Sequence, residues 1–535
     1  MAGRIDASYD LESLPPLPGG SADFARRSEA ARRERLLSGA WRQDLIERIA
    51  ERFGSDSQRK RVMGTPALTS NLAASVARQL SRLYDREGGT SVDGEAIREG
   101  DATAMFVKAM SQAGLWTMGR RLQRAVNVVR DGVRRVDVVG PEGNRKLRLM
   151  NVPLSHCYME GAAECPEDVA AFIHARPRQI AGHRSPPWTW DVFDISDPAN
   201  PQRRVLLARE LKADESWRSM IGDPDFDVTA EALGLPEGSS NDARSGDAYE
   251  ARYADSGRPF VPISMYRLER SGRMTTPFEG AEIVEATYEF GELWHFWDHT
   301  VFTASWPQRY TVNVDLIGAS GSPSGDLAAG SFNEIESDPS NLLQFKSRGN
   351  LPAQLGQWMS GADPSALQMA IQERQDAVLS EMGVAGGAEA RSTGSARSGF
   401  AIELDRATIR EAQTRQEPSF SMADAEILGK AAALSNREAL FGSVPEEGWQ
   451  VAYAGLPPSR EERESVRQQV ETMGDMGVKP SRPWIVANVL GVAPDTAKSL
   501  LAQWTQDEIE ERRAAAMAGL PPVPQPPTAP RDDTA

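Results

Sequence analysis

The sequence predicts an α+β multidomain fold. Three observations carry this reading. Helical periodicity dominates from Ala22 to about Gln123, and the apolar period then shortens to alternation between Gly, Pro and Asn turns. Further on, long helical segments near 279–304 and 400–436 frame a small strand-bearing insertion.

The stretch up to Gly20 is rich in Pro and Gly and is expected to be irregular. From Ala22 to Phe53, Leu36, Leu37, Trp41, Leu45, Ile46 and Ile49 recur at helical spacing. The basic run Arg26, Arg27, Arg32, Arg33 and Arg35 alternates with acidic residues. It reads first as a solvated helix face and second as an anion-binding patch. Thr69–Tyr84 is a second helix, capped by Asn71 or Ser70, and Asp101–Ala113 and Leu115–Gln123 continue the pattern. Val126–Val139, Lys146–Val152, Trp188–Ile195 and Val205–Leu211 alternate as antiparallel strands, and Pro236–Gly257 reads as a loop before order resumes at Arg258–Arg267. Asp191, Asp194 and Asp197 look like turn and surface residues.

A long helix is expected from Glu279 to Ala304, spanning about 39 Å at roughly 1.5 Å per residue and stopped by Pro307. Within 305–363, Tyr310–Ile317 and Leu342–Phe345 read as short strands of an inserted module. Asp363 caps the helix that Pro364 opens, and Gly383 ends it. The Gly/Ala/Ser/Thr-rich stretch Val384–Ser398, with Arg391 and Arg397, has the composition of a mobile loop. The helix from Phe400 to Asn436 contains Pro418, so a kink is expected near Gln416–Ser419. Trp449–Tyr453 is a short strand. Ser459–Met476, Pro483–Leu490 and Pro494–Ala518 read as three helices, and the Pro-rich tail from Leu520 as disordered.

Composition narrows the function. With 60 basic and 76 acidic residues the formal net charge is −16, which argues against a protein that coats nucleic acid. Two cysteines exclude a disulfide-built fold and fit a reducing compartment. No apolar run reaches the roughly 18 residues of a membrane span, and the start lacks the order of a signal peptide.

Chemistry-bearing motifs are scarce. There is no phosphate-cradling GxxxxGK[ST], no GxGxxG opening a helix after a strand, and no GxSxG. His295 and His299 stand four apart, but Phe296 occupies the position where a metalloprotease carries its glutamate, so an aromatic helix face is the favoured reading. His156, Cys157, Cys165 and His174 are zinc-compatible in type but match no closed-site spacing, so ordinary packing is favoured. No cofactor is implied, and the chain is read as a non-enzyme.

Four local sequences, in this order of parts, carry a resemblance: ERQDAVLSEMGV at Glu373–Val384, SGFAIELDRATIREAQ at Ser398–Gln413, DAEILGKAAALSNR at Asp424–Arg437, and TMGDMGVKPSRPWIVANVLGV at Thr472–Val492. The chain resembles the portal protein, or head-to-tail connector, of tailed double-stranded DNA bacteriophages, loosely over residues 25–515. The resemblance implies a wing at 1–278, a first stem helix at 279–304, a clip at 305–363 and a second stem helix at 364–383. It further implies a tunnel loop at 384–398, a kinked long helix and wing return at 399–458, crown helices at 459–518 and a disordered tail at 519–535.

That family forms rings, typically of twelve subunits, at one capsid vertex. Long helices line a central channel through which double-stranded DNA is packaged and later ejected. The implied partners are further copies of the chain, the DNA, the terminase, the major capsid or scaffold protein and tail adaptor proteins, with no membrane. The implied location is the virion, with assembly in the host cytoplasm. Arg391, Ser392, Thr393 and Arg397 become candidate channel-facing residues, Arg309, Lys346 and Arg348 candidate clip-interface residues, and Pro418 a fixed kink. A ring of such acidic chains would surround DNA without gripping it, leaving sparse arginines as the points of contact. The alternatives are another virion structural protein, such as a tail adaptor or internal core protein, or a metal-dependent enzyme using the Asp and His residues near 156–197.

Overall fold

The protein was analysed as a computed structural model, which describes residues 14–51, 71–85, 87–98, 100–141, 143–165, 167–180, 183–212, 215–235, 245–268, 274–275, 281–305, 308–312, 314–316, 345–347, 354–358, 363–381, 399–453, 467–473, 481–490, 497–498, 501–502 and 505. It is a mixed α and β structure.

The N-terminal helical region is two helices, α1 (Ser21–Leu37) and α2 (Trp41–Glu51), where the periodicity predicted one. The break falls at Ser38, whose hydroxyl donates to the Arg35 carbonyl oxygen at 3.0 Å and accepts from the Ala40 amide at 3.2 Å. Serine competes with helical hydrogen bonding in this way. Residues 14–20, just before α1, are irregular but docked. Leu17 is buried beside Trp190, and the Pro16 carbonyl oxygen accepts from the Trp190 indole at 2.6 Å.

Helix α3 (Leu72–Leu80) is capped by Asn71, whose side chain accepts from the Ala74 amide at 2.8 Å. A short ribbon, β1 (Gly89–Val92) and β2 (Glu95–Ala96), leads to α4 (Ala102–Gln112) and α5 (Leu115–Val129). Gly114 joins the two helices at φ +103°, where any side chain is strained. Helix α5 continues through Val126–Val129, which the sequence reading assigned to a strand. Alternating and helical spacings coincide over so short an apolar run.

Strand β3 (Asp131–Val139) pairs antiparallel with β4 (Lys146–Val152) on one side and with β9 (Ile263–Arg267) on the other. The intervening chain forms an antiparallel meander: β5 (Cys157–Gly161), β6 (Val169–Pro177), β7 (Trp188–Asp194) and β8 (Gln202–Leu207). Strands β1, β2, β5 and β6 have no counterpart among the strands that the alternation predicts.

Next come α6 (Ala281–Ser305), two antiparallel ribbons and α7 (Pro364–Glu381). The ribbons pair β10 (Gln308–Val312) with β13 (Gln354–Trp358), and β11 (Val314–Leu316) with β12 (Phe345–Ser347). Helix α8 (Gly399–Arg437) is followed by β14 (Trp449–Ala452), which pairs with β1 at the far end of the chain. Helix α9 (Arg482–Leu490) lies near the C-terminus.

Three apolar clusters hold these parts. The largest lies between α4, α5, the β3 sheet, α8 and β14, around Phe106, Trp116, Tyr266, Phe420 and Trp449. The second joins α1, α2 and α3 to α6 and α7 through Leu45, Ile49, Val76, Ile283 and Ile371. The third lies on the meander, around Ile173, Trp190 and Trp217.

Candidate functional site

The elements the resemblance assigns to a channel are α6, the two ribbons, α7 and α8. Side chains tie α6 and α8 to the body and α7 to α6. Helices α6 and α7 run antiparallel. Near one end the Trp297 indole donates to the Pro364 carbonyl oxygen at 2.9 Å, and further along Arg374 pairs with Glu289 at 2.7 Å. Asp363 caps α7 as expected, accepting from the Ser365 amide at 2.9 Å.

Helix α6 is fastened to the N-terminal helices. Arg32 and Arg48 both reach Glu285, at 2.5 and 3.0 Å, and the Tyr288 hydroxyl donates to Asp44 at 3.2 Å. These two arginines help hold Glu285 below the usual carboxylate range against the opposing effect of burial. Gly291 lets the helices meet, since a Cβ there would stand 2.7 Å from Leu45 Cδ2. The basic run of α1 is therefore neither a solvated face nor an anion patch. Arg27 and Arg33 are buried, and each of the five arginines pairs with a carboxylate of α1, α2 or α6. Helical spacing locates charged residues but does not reveal the acidic neighbours that folding brings to them.

Helix α8 has 39 residues, about 58 Å at roughly 1.5 Å per residue. Its second half enters the core, with Gln416, Phe420, Ala423, Asp424, Ile427 and Leu428 buried at spacings of three and four. Hydroxyls and amides strap it on three sides. The Gln416 side-chain amide donates to Asn127 at 2.7 Å, the Ser419 hydroxyl to the Arg267 carbonyl oxygen at 2.8 Å, and the Ser421 hydroxyl to the Val451 carbonyl oxygen at 2.6 Å. Lys430 donates to the Ile263 carbonyl oxygen and to Glu426, both at 2.6 Å. Gly429 permits the closest approach, since a Cβ there would lie 2.4 Å from the Glu446 carbonyl oxygen.

At the centre of this contact, Asp424 is fully buried. It accepts from the hydroxyls of Tyr84 at 2.7 Å, Tyr453 at 2.6 Å and Tyr266 at 2.5 Å, and from Arg134 at 3.0 Å. Burial, then the Asp424 charge, pushes the Tyr84 and Tyr453 phenols well above their usual range. Burial opposes the charge of Arg134, but Tyr266 and Asp424 beside it outweigh that. Four donors converge on one carboxylate and join α8 to the chain after α3, to β3, to β9 and to the residue after β14.

Pro418 is exposed and lies inside α8, which is helical on both sides of it. It has no N–H to give the Thr414 carbonyl oxygen, so one rung of the ladder is missing where the straps of Gln416 and Ser419 flank it. Arg309 and Lys346 sit on β10 and β12, opposite Gln357 and Asp315 in the register. Arg348, Arg391, Ser392, Thr393 and Arg397 lie outside the described residues, as does the side chain of His299.

The 156–197 region has an arrangement the sequence did not reveal. Asp191 is buried, not at a surface turn, and three guanidiniums share it: Arg135 at 2.9 Å, Arg176 at 2.5 Å and Arg178 at 2.7 Å. These cations hold its carboxyl far below the usual range, against burial. Asp194 is also buried and pairs with Arg218 at 2.9 Å. Cys157 stands opposite His174 across β5 and β6, where burial raises the thiol and, with Arg135, depresses the imidazole. Cys165 is exposed. Among the described residues no group of three or more His, Cys, Asp or Glu is placed to share a metal ion.

No family model matches the chain, and no curated protein matches it. Among the described residues no helix is long and apolar enough to cross a membrane.

Proposed function

We propose that the chain is a subunit of a phage portal ring, the channel at a capsid vertex through which double-stranded DNA is packaged and ejected. In this reading α6 and α7 form the stem, the two ribbons the clip that docks the terminase and later the tail adaptors, and α8 the helix joining the channel side to the wing. The body containing the β3 sheet and the meander is the wing, facing capsid or scaffold. The chain performs no chemistry of its own.

The observation that carries the reading is the out-and-back path. Helix α6 is fastened to the body at Glu285 and Tyr288, the antiparallel ribbons follow it, and α7 returns beside it. Helix α8 then runs into the core and is clamped there by Asp424. The sharing of Asp191 among three arginines also supports a structural role for a region that an enzyme reading would make catalytic. Negative-stain electron microscopy with mass measurement of the purified protein tests it. A closed ring with a central channel wide enough for duplex DNA is expected, and a monodisperse monomer or an open filament at assembly concentrations overturns it.

A further inference from the structure

A second feature lies on the body, away from α6, α7 and the ribbons. A cleft of about 350 Å³ opens where β3, β4, β6, β8 and the C-terminal end of α8 converge. Six arginines line it: Arg145, Arg148, Arg176, Arg178, Arg203 and Arg437. Only three carboxylates do so, Asp137, Glu250 and Glu438, which leaves an excess of three positive charges on the lining. This concentration is at odds with a chain of net charge −16.

The pairing inside the cleft does not remove the excess. Arg145 pairs with Glu438 and Arg203 with Glu250. Arg176 and Arg178 share Asp191 with Arg135, which stands behind them and also takes up Asp137 at 2.9 Å. The Nε of Arg176 is buried with no acceptor among the described residues. Arg437 donates to a neutral acceptor, the Tyr249 carbonyl oxygen, at 2.7 Å. Arg178 is held below its usual basicity by burial and by the neighbouring Arg176 and Arg135, although Asp191 opposes this.

We propose that this cleft binds a phosphate group between Arg145, Arg148, Arg176 and Arg437. Planar guanidinium forks match the oxygens of a phosphate in pairs, and a doubly charged oxyanion meets most of the excess. The volume lies in the range of small-ligand sites, about 300–1,000 Å³, so the phosphate can carry a substituent. Free phosphate compounds and the backbone of a nucleic acid present the same group. The site does not rest on the channel reading.

Calorimetric titration of the purified full chain with inorganic phosphate, at constant ionic strength set by chloride, tests the proposal. Saturable binding is expected, weakened at least about tenfold by the Arg145→Gln/Arg148→Gln double variant. Arg415→Gln, on the exposed face of α8, should bind as the wild type does. Arg148 is exposed, so Arg148→Gln alone carries the comparison if the double variant does not fold by circular dichroism. A short duplex DNA that displaces phosphate identifies the source as nucleic acid, and a duplex that does not identifies free phosphate compounds. Absence of saturable binding of both probes, equal binding by a folded variant, or binding of an acidic peptide alone overturns the proposal.

Discussion

Arg134 on β3 and Asp424 on α8 are both fully buried and meet at 3.0 Å, although 290 positions separate them in the chain. The pair fixes the long helix to the central sheet. Three tyrosine hydroxyls occupy the remaining acceptor positions of the carboxylate. Removing one partner leaves a buried charge without compensation, which costs about 3–5 kcal/mol. Asp424→Ala should lose stability of that order in urea unfolding. Asp424→Leu and Arg134→Met, combined in a double-mutant cycle, should show a coupling of about 2 kcal/mol or more. Additive losses would remove the pair from the role assigned to it.

Glu34 gives the stability a pH dependence. Its carboxyl end is enclosed against the turn at Leu154–Ser155, accepting from the Leu154 amide at 2.6 Å and from the Ser155 hydroxyl. Burial raises it to about 7 despite those donors and Arg26. A carboxyl raised above its unfolded value of about 4.3 is bound to its proton more tightly in the folded state. Its contribution is complete below about pH 4.3 and is lost as the pH rises through about 7. Glu34→Gln should therefore flatten this part of the profile and exceed the wild type by about 1–3 kcal/mol at about pH 8. A difference between variant and wild type that is the same at about pH 5 and about pH 8 would sink the assignment.

The parts of this fold legible in the sequence are those set by local rules. The Asp363–Pro364 helix start, the strand Lys146–Val152 and the existence of the long helices follow from capping, alternation and spacing. What stayed hidden depends on distant partners. Strand β1 is a short, Gly- and Ser-containing segment that becomes a strand by pairing with β14, more than three hundred residues away. Asp191 reads as a polar residue between turns until folding brings Arg135, Arg176 and Arg178 around it. The arginine cleft was hidden for the same reason, because its lining comes from five separated elements. An alternating DVF or RRV segment shows which side chains share a face, but not which charges from other strands that face will meet.

Arg391 and Arg397, which the sequence resemblance assigns to the channel, yield a prediction that separates assembly from function. In a channel of acidic subunits a few arginines set the drag on DNA, since each phosphate contact releases counterions. If the chain is a portal subunit as proposed, Arg391→Glu with Arg397→Glu should leave its ring intact by electron microscopy and lower the fraction of packaged DNA retained. Retention equal to that of the wild type would exclude these arginines from the contact.

Pro418 interrupts α8 at an exposed position, between straps that hold Gln416 to Asn127 and Ser419 to the Arg267 carbonyl oxygen. An interior proline removes one helical hydrogen bond and crowds the preceding turn, at a cost of about 3 kcal/mol. Pro418→Ala restores a donor for the Thr414 carbonyl oxygen and relieves the crowding, while the unfolded chain gains freedom worth about 0.4–1 kcal/mol. The folded protein should therefore gain about 1–2 kcal/mol, seen as a higher Tm. If, in the portal reading, the missing rung at Pro418 lets one helix serve both the channel side and the wing, the same variant should package less DNA despite its greater stability. A rise in Tm with unchanged packaging would leave the proline a local cost without a functional return. A fall in Tm would show that the straps at Gln416 and Ser419 depend on the proline.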